Sequence, residues 1–188
     1  YKGSYVFTNQ YRPGIEKLFE NLAKKYDLYV LSGDNDGERK ILEKLLPNSV
    51  TLVFNQKPEQ KLQFIDSLQK QGKNVMMIGD GLNDSGALAQ SNVGISISEN
   101  VNVFSPACDG ILDASQFNKI SFFMNYSKNA MRTIYMSFGL SLLYNTVGLT
   151  YAVSGNLSPI VAAIIMPLST ITIVSFVTIV TNIYARVK

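Results

Sequence analysis

The sequence predicts an α/β fold, a parallel sheet with helices on both faces, followed by a two-helix transmembrane hairpin. Three observations point there. Short apolar runs alternate with helical patterns through the first 116 residues, which implies parallel strands joined by helical crossovers. Residues 1–132 hold all 14 acidic residues and 15 of the 17 basic ones, the other two being Arg186 and Lys188. Residues 133–185 carry no formal charge.

The elements follow in order. "SYVF" (4–7) reads as a short strand. Arg12-Pro13 opens a helix with Ile15, Leu18, Phe19 and Leu22 on one face. "DLYVLSGD" (27–34) reads as a strand ending in a polar turn. "GERKILEKLL" (37–46) is a helix stopped by Pro47, and "TLVF" (51–54) is the next strand. "PEQKLQFIDSLQKQG" (58–72) begins with proline and ends with glycine, the usual asymmetry of a bounded helix. Leu62, Ile65 and Leu68 or Gln69 run along it. "NVMMI" (74–78) is a strand, "DSGALAQS" (84–91) a short helix, "VGISI" (93–97) a strand and "GIL" (110–112) one more. Val30, Leu31, Val75, Met76, Met77 and Ile78 supply a compact core.

After Gln116 the pattern changes. Residues 117–132 read as an amphipathic, mildly basic connecting helix, with Phe122, Phe123 and Tyr126 at headgroup level or against a neighbouring helix. Two uncharged runs, 133–153 and 159–185, are each long enough to cross about 30 Å of hydrocarbon as a helix. "SGNLS" (154–158) separates them. Lys128 and Arg132 before the pair, and Arg186 and Lys188 after it, place both ends on the cytoplasmic side. The competing reading, two buried helices of a soluble protein, requires a core larger than this chain offers.

Composition excludes several classes. Histidine is absent and Cys108 is the single cysteine, which rules out a His/Cys zinc cluster and an internal disulfide. Cys108 reads as structural. The basic excess sits at membrane flanks, so no nucleic-acid partner is expected. The opening shows no signal-peptide pattern and reads as a cut through a larger protein.

The chemistry concentrates at strand ends. "GDGLND" (79–84) puts Asp80 at the carboxyl end of an apolar strand, with Asp84 at the start of the next helix. Two carboxylates this close repel unless a cation sits with them, and an oxygen-only donor set suits magnesium. Taken singly, Asp84 reads equally as a helix cap and Asp80 as a turn former. "SGD" adds the Ser32 hydroxyl, the Gly33 N–H and the Asp34 carboxylate at another strand end, and Lys61 adds an ammonium. Singly, Lys61 reads as a solvated helix lysine and Ser32 as a turn hydroxyl. Together a hydroxyl, an amide, an ammonium and a carboxylate-held metal make a receiver for a phosphoryl group. A nucleophile is missing: the first strand ends in Asn9 and Gln10, and Asp27 precedes a strand. The set is half an active site.

These residues resemble a known family, the P-type ATPases. "GDGLNDSGAL" (79–88) resembles their GDGxNDxPAL hinge motif, with Gly86 where proline is usual. "SGD" (32–34) resembles their TGD motif, "KPEQK" (57–61) the segment of their lysine, and "NQYRPG" (9–14) their DxxRP segment with Asn9 in place of aspartate. "NVGISISENVNVFSPACDGIL" (92–112) is similar to their "GIAMG…A…AD" run. Two last membrane helices directly after this domain are the arrangement of the heavy-metal branch.

The resemblance implies a haloacid-dehalogenase-like fold, with residues 1–116 the C-terminal part of the phosphorylation domain and 133–188 the last two membrane helices. It implies that Asp80 coordinates Mg2+, Asp84 supports that shell, Asn83 serves the phosphoryl environment and Lys61 neutralises phosphoryl oxygens. It assigns Ser32 and Gly33 to hydrogen-bonding the phosphoryl group, and Asp34 to orienting water or the catalytic loop. Neither the DKTG motif, the nucleotide-binding domain nor the Cys-Pro-Cys type helix occurs here. The chain then works only with the missing N-terminal part of the same ATPase, which supplies the nucleophile and binds ATP.

The membrane runs bear on the ion. Met166 offers a soft thioether suited to Cu(I). Asn145 is costly in lipid and belongs against protein or an ion path. Pro167 frees a backbone carbonyl. Tyr144 and Met166 read equally as packing residues. The copper branch resembles this pattern, with Tyr-Asn in the penultimate helix and a methionine followed by a hydroxyl pair in the last, here Ser169-Thr170. Tyr144, Asn145, Met166 and Ser169 are thus the expected ligands of a transported Cu(+) ion. The implied whole is a multi-pass copper exporter of a bacterial plasma membrane, fed by a cytoplasmic copper donor and seated in the lipid bilayer. The competing functions are a membrane-tethered phosphatase of the same fold and a nonenzymatic remnant with a regulatory role.

Overall fold

The computed structural model describes residues 11–99, 108–155 and 158–186. The expected first strand (4–7), Asn9, Gln10 and Lys188 lie outside the described residues, as do parts of the 92–112 run and of the 154–158 loop. The chain forms two compact units, Tyr1–Ser121 and Phe122–Lys188.

In the first unit, α1 (Ile15–Ala23), β1 (Tyr29–Leu31), α2 (Arg39–Leu45), β2 (Thr51–Val53), α3 (Pro58–Lys70), β3 (Met76–Gly79), α4 (Ser85–Gln90), β4 (Val93–Ser98) and β5 (Gly110–Asp113) follow one another. All strand pairs are parallel. They make two sheets, β1-β2 and β3-β4-β5, rather than the single sheet expected. Periodicity identifies strands but not their partners. β1 and β3 are not hydrogen-bonded to each other, and side chains link their beginnings instead. Lys73, before β3, pairs with Asp27, before β1, at 2.8 Å.

Helices cover both faces of the first sheet, as expected. Val30 and Leu52 are register partners and share a face. They pack with Ile15 and Phe19 of α1 and with Leu42 and Leu46 beside Phe54. Tyr29 points the other way and meets Phe64 of α3 edge-on, at 5.3 Å between centroids. A second core joins Ile65 of α3, Met77 of β3, and Ala87 and Leu88 of α4, with Val75 and Cys108 packed on it. Cys108 therefore has the structural place the sequence suggests.

Local chemistry sets the boundaries. Residues expected at the start of α2 form instead a 3-10 turn, Asp36–Glu38, because the Asn35 side chain accepts from Gly37 N. Pro58 opens α3, and the Gln60 side chain accepts the Lys57 N–H at 2.8 Å. Tyr11 donates to Glu38 at 2.6 Å, which ties the opening segment to that 3-10 turn. This hydrogen bond, then burial, then the Glu38 charge push the Tyr11 phenol up to about 12. A group whose pKa rises on folding stabilises fully below its unfolded value, about 10, and the benefit is lost as pH climbs through 12. The difference in melting temperature between the protein and Tyr11→Phe is therefore expected to hold steady to about pH 10 and to shrink above it.

In the second unit, α5 (Ile120–Val153) runs on from the first unit and is followed by α6 (Pro159–Arg186). Residues 120–132 continue into 133–153 without a break, since nothing between them caps or stops a helix. Phe122 stacks on Tyr126 at 6.2 Å and meets Phe123 edge-on at 5.7 Å. Among the described residues one helix, α6, is long and apolar enough to cross a membrane. In α5 the polar Tyr144, Asn145, Thr146 and Thr150 dilute an otherwise apolar run. The hydroxyls of Thr146, Thr150, Thr170 and Thr172 donate to carbonyls four residues back, which satisfies them inside their own helix.

Candidate active site

The site is built where β1, β2 and β3 end. Ser32 follows β1, and its N–H donates to Val53 O at 2.9 Å, extending the β1-β2 ladder by one step. The Ser32 hydroxyl accepts the Asp34 N–H at 3.1 Å. Asn55 N then donates to Asp34 O, and Gln56 N to Ser32 O, each at 2.9 Å. The loops after the two strands are thus zipped together by backbone bonds. Asn55 takes the left-handed conformation, with φ of 58°, which asparagine tolerates better than most side chains. The sequence reading missed Asn55 and Gln56, although their place directly after "TLVF" and before "KPEQK" marks them as a strand-end turn.

The second loop leads into α3, whose Lys61 Nζ lies 2.7 Å from Asp84 Oδ1. Both side chains are only 12% exposed. Asp84 occupies the N-cap position of α4 yet makes no capping hydrogen bond. Its carboxylate is turned to Lys61, so the cap reading of Asp84 is not the one realised. The other oxygen lies against Gly79: a Cβ built on Gly79 would stand 2.5 Å from Asp84 Oδ2. Gly79 therefore makes room for a carboxylate, a role that was not evident from the motif.

Asp80 is exposed at the end of β3, and its Oδ1 accepts the Leu82 N–H at 3.2 Å. Here the turn-former reading is realised, with Gly81 at φ 85° permitting the turn. One bond to a single oxygen leaves carboxylate capacity for a hard cation. Asn83 stands exposed in the same turn, and Gly33 and Asp34 are exposed in theirs. Contacts thus form two groups, Ser32 and Asp34 with Asn55 and Gln56, and Lys61 with Asp84 and Gly79, joined by the chain that leads from Gln56 into α3. The donor set, carboxylate oxygens with an ammonium beside them and no sulfur or imidazole, fits magnesium.

In the second unit, Tyr144 donates to Thr172 at 3.2 Å, bringing α5 against α6. Ser169, half-buried, donates to Met166 O at 2.8 Å. Met166 is 71% exposed and Asn145 is also exposed. Among the described residues, no hydrogen bond joins the side chains of these four expected ion ligands to one another.

Residues 2–92 match the haloacid dehalogenase-like hydrolases. The chain is 30% identical over 173 residues to the probable copper-importing P-type ATPase A of Enterococcus hirae, a match covering 91% of this chain and 24% of that one. It is 35% identical over 118 residues to the probable copper-exporting P-type ATPase V of Mycobacterium tuberculosis, covering 63% of this chain and 15% of that one. The crystal structure of a zinc-transporting PIB-type ATPase in the E2.Pi state shares its fold, with a TM-score of 0.80 at 18% identity, over 92% of this chain and 28% of that one. The chain spans about a quarter of the length of the Enterococcus hirae relative.

The part before α5 is thus a haloacid dehalogenase-like domain of parallel strands, with Ser32, Asp80 and Asp84 in the turns that follow β1 and β3. The homologues of the chain are P-type ATPases named for copper transport, and it matches a part of their length.

Proposed function

We propose that, within an intact ATPase, this chain supplies the magnesium- and phosphoryl-binding half of the active site and part of the membrane path of a Cu(+) exporter. Two contacts carry the reading: the Ser32–Asp34 loop is bonded to the loop that leads into α3, and Lys61 of α3 pairs with Asp84 beyond β3. Asp80, with Asp84 behind it, would hold Mg2+. Bound there, the ion would neutralise developing charge on a phosphoryl group passing from ATP to an aspartate outside this chain. Lys61 contributes a second positive charge, and its pairing with Asp84 keeps that charge oriented without a phosphoryl group present. Ser32 and Gly33 hydrogen-bond phosphoryl oxygens. Asp34 orients water for hydrolysis of the aspartyl phosphate, and Asn83 borders the same space.

In the membrane, Tyr144, Asn145, Met166 and Ser169 line the path, and further groups from the rest of the ATPase complete the coordination that α5 and α6 leave open. Both helices cross the bilayer, with their basic ends, Lys128, Arg132 and Arg186, on the cytoplasmic side. Cu(+) is favoured because a thioether and hydroxyls stand where a charged pair would suit a harder divalent ion. A relative named as copper-importing makes direction part of the proposal. Export follows from a cytoplasmic donor delivering the ion to the side on which ATP is consumed.

The test is metal-stimulated ATPase activity of the full-length protein with Cu(I), Ag(I) and Zn(II). Met166→Ala is expected to lower stimulation by Cu(I) and Ag(I) by about tenfold or more, the loss of one soft ligand. Unchanged Cu(I) stimulation in that variant would remove Met166 from the path.

A further inference from the structure

We infer that Thr172 is a positioning residue for the Tyr144 phenol, fixing the direction of its proton so that its lone pairs face the ion path. The inference rests on the proposed role of Tyr144 as an ion ligand. It starts from two hydrogen bonds. Thr172 Oγ1 lies 2.7 Å from the carbonyl oxygen of Leu168, one turn back in α6. The Tyr144 hydroxyl lies 3.2 Å from the same Thr172 oxygen, at the long end of the range for such a bond.

A carbonyl oxygen only accepts, so the Thr172 proton is committed to Leu168. Thr172 Oγ1 then has only lone pairs to offer Tyr144. A phenol carries one proton, and in this pairing that proton must point at Thr172. The relay runs in one direction, from Tyr144 to Thr172 to Leu168.

The consequence is electrostatic. A cation is repelled by the hydrogen end of a hydroxyl and attracted by its lone pairs. With Thr172 in place, the phenol cannot turn its proton toward an approaching ion without losing a hydrogen bond in an apolar surrounding. The hydroxyls on the preceding turn of α6 behave alike. Ser169 and Thr170 both direct their protons to Met166 O, at 2.8 and 3.3 Å. Thr172 differs because it reaches across to another helix and orders a side chain there.

The full-length ATPase in lipid nanodiscs provides the test, with Cu(I) affinity read by competition against a colorimetric Cu(I) chelator. Thr172→Val keeps the shape and removes the relay. It is expected to weaken Cu(I) binding about tenfold and to raise KM for Cu(I) with little change in kcat, the loss of one ordered polar contact. Thr172→Ser is expected to restore both. In a Tyr144→Phe background, Thr172→Val is expected to have no further effect, because no phenol proton remains to be ordered. If Tyr144→Phe weakens binding while Thr172→Val does not, the inference fails and the ion-path reading stands. An undiminished Thr172→Val effect in the Tyr144→Phe background also overturns it, since Thr172 would then act through packing alone. Wild-type Cu(I) affinity in both Met166→Ala and Tyr144→Phe would overturn the ion-path reading and this inference with it.

Discussion

Asp80→Asn is expected to lower the rate of phosphoenzyme formation in the intact ATPase by at least about 100-fold while leaving its melting temperature nearly unchanged, the size of loss seen when one charge-stabilising group is removed. The separation of the two effects is the informative part. Asp80 is exposed, and its one described bond is accepted by Oδ1 from Leu82 N. Asparagine keeps that oxygen and so keeps the turn. What it lacks is the negative charge that would hold a divalent cation. Incorporation of labelled phosphate from ATP, measured against Mg2+ concentration, reads the catalytic effect, and thermal unfolding reads the structural one. Phosphoenzyme formed at the normal rate in Asp80→Asn would contradict the assignment of the metal to this carboxylate.

Gly79→Ala should act in the opposite sense, through structure first. The added methyl would stand 2.5 Å from Asp84 Oδ2 and 2.9 Å from Asp84 Cβ. Neither atom belongs to the free end of a long chain, so Asp84 must move as a whole. Its movement breaks a 2.7 Å pair with Lys61 whose members are each 12% exposed. Separating a largely buried ion pair costs more than crowding alone, and the sum is about 3 kcal/mol or more. Gly110→Ala is the control, because an added Cβ there meets nothing within 4 Å. A shift within about 0.5 kcal/mol is expected for it. Chemical unfolding of the two variants compares them directly. Equal stabilities would mean that Asp84 yields freely and that its place beside Gly79 is incidental.

Several residues of the candidate site are legible in the sequence. Ser32, Lys61, Asp80 and Asp84 stand out because each is next to an apolar run or at a helix start, and strand ends are where such loops meet. Their partners were not evident. Nothing in the spacing of Lys61 and Asp84, 23 residues apart, says that they pair. The Asp84 carboxylate had two local uses open to it, capping α4 or facing outward, and the choice of a third depends on where α3 lies. Asn55 and Gln56 are silent in the sequence for the same reason: their contribution is a backbone zipper to residues 21 and 24 positions earlier, visible only once β1 and β2 are paired. In the second unit, the chemistry of Tyr144 marks it in the sequence, while Thr172 is one more hydroxyl in an apolar helix and gains its partner only where α5 meets α6.

The sequence by itself determined the kinds of element, their order, the parallel character of the strands and the charge-free stretch that α6 occupies. These follow from periodicity, capping residues and charge, each acting over a few neighbouring residues. Tertiary structure decided which strands share a sheet, which carboxylate is paired with an ammonium and which left exposed, and which hydroxyl receives the phenol. Those outcomes depend on distances between segments far apart in the chain. A hydrogen bond or an ion pair gains its energy only within about 3 Å, and no local pattern of residues specifies which distant group will arrive there.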